Sequence, residues 1–111
     1  MSEEYRRIGT LAEIPEGEVR AYELPGIRLA VVQLDAEVYA IGDECPEDGS
    51  ALSDGEVDDN EWSLVCAQDA SAFDIRTGEP VRGVAVDPVP VFRVRVEDGW
   101  VAVALAGARA E

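Results

Sequence analysis

An all-β fold with one long loop-rich excursion is predicted by three features of this sequence. Short apolar runs rich in β-branched residues recur along it, turn residues separate them, and no segment has a helical period. At 111 residues the chain has room for one modest core, so a single domain over 1–111 is expected.

The elements follow in order. Residues 18–24 read as a strand, and the dipeptide Pro25-Gly26 turns the chain back. Residues 27–34 form a second, more apolar strand. The turn Asp35-Ala36-Glu37 leads into a third at 38–41. After Gly42 the character changes: 43–59 is polar, acidic and rich in turn residues, with no strand period. A strand at 61–66 delivers Cys66 at its end, and an irregular loop runs to Ser71. Residues 72–74 make a short strand before the turn Arg76-Thr77-Gly78. A long strand at 89–96, the tight turn Glu97-Asp98-Gly99 and a last strand at 100–105 complete the set, and the tail 106–111 is expected to fray. The picture is a β-sandwich or small barrel built from 1–42 and 72–111, with 43–71 as a loop-rich subdomain at one end. Trp62 and Trp100 sit in strand patterns and read as core or hairpin packing.

Charge narrows the choice of partners. Net charge is −15, and all nine basic residues are arginine. Such a surface repels nucleic acid and anionic membranes, which excludes both as expected partners. No apolar run approaches the roughly 20 residues needed to span a bilayer, and no secretory signal opens the chain, so a cytoplasmic location is the expectation. The charge is also concentrated: residues 43–75 hold 11 acidic residues and no Arg or Lys. Solubility alone would not require that placement.

The same stretch holds both cysteines. The first loop reads Cys45-Pro46-Glu47-Asp48-Gly49-Ser50-Ala51-Leu52-Ser53-Asp54-Gly55. The second reads Cys66-Ala67-Gln68-Asp69 and continues into Ala72-Phe73-Asp74-Ile75-Arg76-Thr77-Gly78. Each cysteine is followed two or three residues later by a carboxylate, Glu47 or Asp69, and the chain contains no histidine. With no histidine base, no nucleophile-base pair and no phosphate-binding glycine loop, catalysis by this chain alone is not expected.

These residues resemble the Rieske family, in its small soluble ferredoxin form. Cys45, Pro46, Gly49, Leu52, Ser53 and Gly55 match a first box of Cys-x-His, Gly and Leu-Ser-x-Gly. Cys66, Phe73, Asp74, Thr77 and Gly78 match a second box of Cys-x-x-His-Gly and Phe-Asp-x-x-Thr-Gly. The resemblance implies a Rieske-like fold with two cysteine loops at one end. It also implies a 2Fe-2S cluster with one iron on the cysteines and the other on two histidines. Carried over, Cys45 and Cys66 keep their places, Glu47 and Asp69 replace the histidines, and Ala70 replaces the following glycine.

Three occupants are open. The first is no cluster at all, since carboxylates suit harder ions than a sulfide-bridged iron pair. A non-standard 2Fe-2S cluster could use Cys45, Cys66, Glu47 and Asp69. A mononuclear zinc or iron ion could use the same four donors if the loops closed inward. An empty site would leave Cys45 and Cys66 close enough to oxidise to a disulfide. The functions that follow are an acidic module docking on a basic surface of a larger redox enzyme or reductase, or a working electron-transfer ferredoxin for an oxygenase or reductase.

Overall fold

The computed structural model describes residues 5–46, 49–68, 71–83 and 87–109. The described residues form ten strands in two antiparallel sheets, with two single 3-10 turns. The strands are β1 (Tyr5–Thr10), β2 (Glu18–Leu24), β3 (Ile27–Leu34), β4 (Glu37–Gly42), β5 (Glu56–Asp58), β6 (Ser63–Val65), β7 (Ala72–Asp74), β8 (Pro80–Arg82), β9 (Val91–Glu97) and β10 (Trp100–Arg109). The larger sheet has the order β1-β10-β9-β4-β3-β2, and the smaller one β5-β6-β7-β8. The all-β expectation holds.

Strand β3 shows why the larger sheet needs an apolar run at its centre. Successive side chains of a strand point to opposite faces. Ala30, Val32 and Leu34 face one core, shared with Ile41, Leu52, Leu64, Phe73 and the two cysteines. Leu29 and Val31 face a second, with Ile14, Phe92, Val101 and Val103. The first core joins the two sheets, and the second fills the curl of the larger sheet. At the seam of that curl β1 approaches β2: a Cβ added to Gly9 would lie 2.9 Å from the Tyr22 ring. The Tyr22 hydroxyl donates to Glu13 at 3.0 Å, closing the seam.

The structure revises several boundaries. Strand β1 was not expected, because Arg6 and Arg7 interrupt its apolar pattern. The stretch expected to lack a strand contains β5, whose one apolar residue, Val57, is too little to show a period. The strand expected at 61–66 is shorter, because Trp62 takes a left-handed φ of 58°. The Trp62 ring then meets Tyr39 edge-on at 6.1 Å and lies under the Arg76 guanidinium at 4.8 Å. Strand β9 starts at Val91 rather than at 89, since Pro90 has no N–H and Val89 donates to the Gly78 carbonyl. The tail expected to fray runs on as strand to Arg109, paired with Val91. The smaller sheet continues through β7 and β8 to Arg82, so it spans the expected division between 71 and 72.

Candidate functional site

Two loops leave this scaffold at the same end, one after β4 and one after β6. Each is built from its motif residues. In the first, Asp43 is buried and acts as a clamp. One of its carboxylate oxygens accepts the Ser53 N–H and the other accepts the Ser53 hydroxyl, both at 2.6 Å. Its own N–H donates to the Arg28 carbonyl, and Arg28 donates to its carbonyl oxygen in return. The clamp ties the two ends of the Cys45 loop together, Asp43 before the cysteine and Ser53 after it. Leu52 plugs the loop into the core with no exposed surface. Gly55 follows where β5 meets β6, and a Cβ there would lie 1.7 Å from the Val65 carbonyl oxygen. Any larger residue requires the backbone to move, which explains the glycine of the Leu-Ser-x-Gly box.

In the second loop, the Cys66 N–H donates to the Ser71 carbonyl at 2.7 Å and returns the chain into β7. Phe73 is fully buried. Asp74 shapes the next turn by accepting the backbone N–H groups of Arg76 and Thr77 and the Arg76 guanidinium. Burial pushes the Asp74 carboxyl up, but these donors together outweigh it and hold the group below the usual aspartate range. Gly78 has a φ of 80°, and a Cβ on it would strike the Val89 carbonyl at 2.1 Å. The Phe-Asp-x-x-Thr-Gly box is thus a buried anchor, a carboxylate cap and a close backbone approach.

The structure brings the two cysteines into one core, each only 1% exposed. Ser50 links them. Its carbonyl accepts the Cys45 N–H at 2.8 Å, and its hydroxyl is in hydrogen-bond contact with the Cys66 sulfur at 3.3 Å. Both cysteines are thiols here rather than a disulfide. Glu47, Asp69 and Ala70 lie outside the described residues. Sequence reasoning missed Asp43 and Ser50. Asp43 looked like one more member of an acidic stretch, and Ser50 falls at an unspecified position of the box.

Two clefts flank the thiols. One of about 570 Å³ runs beside Cys45, between Pro46 and Pro88 to Pro90. The other, of about 510 Å³, has Cys66 and Ala67 on its wall and is rimmed by Asp54, Glu56, Asp58 and Asp59. Asp58 and Glu61 share Arg82, at 3.5 and 2.8 Å. The hydrogen bond from Arg82 holds the half-buried Glu61 carboxyl below its ordinary range. The acidic run is therefore partly ordered by one arginine from β8.

A Rieske cluster needs two thiolates and two imidazoles. The thiolate half is present, buried and joined by Ser50. The imidazole half is not, because the chain has no histidine. Among the described residues no group of three or more Cys, Asp or Glu gathers as a metal site. The donor set does not fit the two-cysteine, two-histidine group.

Known proteins agree on the scaffold. The family model described as a Rieske-like 2Fe-2S domain matches residues 4–104. The 3-phenylpropionate/cinnamic acid dioxygenase ferredoxin subunit of Photorhabdus laumondii is 33% identical over 91 residues, covering 81% of this chain and 84% of that protein. Its counterpart in Escherichia coli K12 is 30% identical over 89 residues, with 80% and 82% covered. Among solved structures, the ferredoxin of carbazole 1,9a-dioxygenase from Nocardioides aromaticivorans IC177 superposes with a TM-score of 0.86 at 29% identity, covering 90% of this chain and 96% of that one. The ferredoxin-sized chain in a complex of reduced oxygenase and oxidized ferredoxin of carbazole 1,9a-dioxygenase gives 0.84 at 28% identity, with 93% and 94% covered. With the family model matched over residues 4–104 and relatives covered over most of both lengths, the chain belongs to the Rieske-like 2Fe-2S domain family.

Proposed function

We propose that this protein is a ferredoxin-type accessory component of a larger redox enzyme, that it docks through its acidic cysteine-loop end, and that it does not carry a standard histidine-ligated cluster. It is not a catalyst on its own; its relatives are ferredoxin subunits of dioxygenases. The observation behind the reading is the cleft at Cys66, rimmed by Asp54, Glu56, Asp58 and Asp59, on a chain that keeps both cysteines and has no histidine. A ferredoxin of similar fold is known in complex with its oxygenase, which supports a larger redox enzyme as the partner. Carboxylates at the loop end favour a basic docking surface on that enzyme.

A second reading keeps electron transfer. Both thiols remain buried and held by backbone bonds, as a cluster site requires. A non-standard cluster would then use Glu47 and Asp69 with the two cysteines.

An iron and acid-labile sulfide assay on protein expressed with iron supplied separates the two. The first reading expects far less than one iron and one sulfide per chain. Two of each would overturn it in favour of the second. The variant carrying Glu47→His and Asp69→His should gain iron, sulfide and visible absorption if only the imidazoles are missing.

A further inference from the structure

Far from the cysteine loops, the outer face of β1, β10 and β9 has a different chemistry. Tyr5, Ala104 and Arg93 lie side by side in the register, as do Arg7, Ala102 and Arg95, then Thr10, Trp100 and Glu97. The opposite face of β10 carries Val101 and Val103, which are fully buried. The central strand thus presents small alanines outward, between longer side chains on either side. Over these alanines Arg95 reaches across to the Tyr5 ring on the far strand, 4.1 Å from its centroid. Arg7 lies over the Trp100 ring at 5.1 Å. Trp100, read from sequence as packing, is 39% exposed, one of three large apolar side chains left open among the described residues.

Arg76 also stacks on a ring, that of Trp62, but it is paired with a carboxylate as well. Arg20, Arg76 and Arg82 are turned onto carboxylates at 3.1, 3.0 and 2.8 Å. Arg95 approaches Glu97 only at 3.9 Å. Stacking fixes a guanidinium plane and leaves its N–H edge available for a carboxylate fork. Tyrosine, tryptophan and arginine are also the residue types that dominate protein interfaces. In a chain of net charge −15, a face that places Arg7, Arg93 and Arg95 beside one carboxylate, Glu97, is a local excess of positive side chains.

We propose that the outer face of β1-β10-β9, centred on Arg7, Arg95 and Trp100, is a second docking surface and takes a short carboxylate-rich segment of a partner protein. Charge complementarity selects carboxylates. The acidity of the rest of the chain selects a short segment, since a broad acidic surface would be repelled. The face is independent of the cysteine-loop end. Val91 pairs with Ile41 beside the loops, and four residue steps along β9, roughly 13 Å, separate it from Arg95 at the centre of the face. That exceeds the Debye length of about 8 Å at physiological salt.

The test is an NMR titration of the full-length 15N-labelled protein with a hexaglutamate peptide, with hexaglutamine as the control. The Trp100 indole N–H and the amides of Arg7, Ala102 and Arg95 report on the face. Saturable shifts confined to these signals are expected with hexaglutamate alone. Binding should weaken at least ten-fold in Arg7→Glu/Arg95→Glu and persist in Arg20→Glu. If the double charge reversal perturbs the fold, Arg7→Gln/Arg95→Gln serves in its place. The proposal is overturned by no shifts at this face, by equal binding in the double variant, or by shifts centred on the cysteine loops. Concentration-dependent shifts without peptide would also overturn it, in favour of self-association.

Discussion

Asp43 is a carboxylate that belongs to the loop architecture rather than to the acidic surface. Buried and doubly bonded to Ser53, it ties together the ends of the loop that holds Cys45. In Asp43→Asn one acceptor becomes an N–H₂ facing the donors of Ser53. Losing a charged acceptor that two donors share costs roughly 1.5–3 kcal/mol. The expected outcome is a lower denaturation midpoint with an unchanged slope, and Ser53→Ala should fall in the same direction by about 1–2 kcal/mol. A midpoint equal to wild type in both variants would show that the clamp contributes nothing. Ser53 was legible in the sequence because it sits in the Leu-Ser-x-Gly box. Asp43 was not, because burial alone distinguishes it from ten other acids nearby, and burial depends on contacts distant in sequence. The same holds for Ser50, whose contact to Cys66 crosses between loops.

At the scale of elements, the seam between β1 and β2 has its own pH signature. The Tyr22 phenol is pushed up to about 12, first by burial and then by its hydrogen bond to Glu13 and the charge of that residue. The folded pKa lies above the unfolded value of about 10, so the fold favours the neutral phenol. This contribution is complete below about pH 10 and is lost as pH rises through the folded value. Tyr22→Phe should therefore flatten the fall in stability between about pH 10 and about 12, measured by denaturant titration at a series of alkaline pH values. A wild-type-like slope in the variant would assign the alkaline loss to other groups. How well each strand could be read tracks its surroundings. Strands β2 and β3 were legible to the residue because Pro25-Gly26 and Asp35-Ala36 mark their ends. Strands β5 and β8 have three residues each and exist because neighbouring backbone lies alongside, which no local period records.

Over the whole molecule, charge is sorted by region. Eleven carboxylates and no basic residue occupy 43–75, while Arg7, Arg93 and Arg95 cluster on the outer face of β1-β10-β9. If the cysteine-loop end docks electrostatically on a basic enzyme surface, affinity should fall roughly ten-fold or more between about 50 and about 300 mM salt. Calorimetry with the oxygenase or reductase of its own system checks this, and a salt-independent affinity would remove the electrostatic part of the mechanism. The fold and the positions of both cysteines were legible at this scale because the boxes match in spacing and order. The function was less so: the chain has no histidine to supply the imidazoles of a Rieske cluster, and spacing alone does not say what takes their place.

The curl of the larger sheet has a consequence for how this protein behaves in a crowd. Its two outermost strands are turned toward each other at Gly9 and Tyr22, so neither presents a long flat edge to a neighbouring molecule. The smaller sheet does end in open edges, but β5 is Glu-Val-Asp and β8 is Pro-Val-Arg. Short, charged or proline-bearing edges are poor templates for strand addition. The described strands thus expose side-chain charge for recognition while offering few backbone donors and acceptors to intermolecular β-pairing.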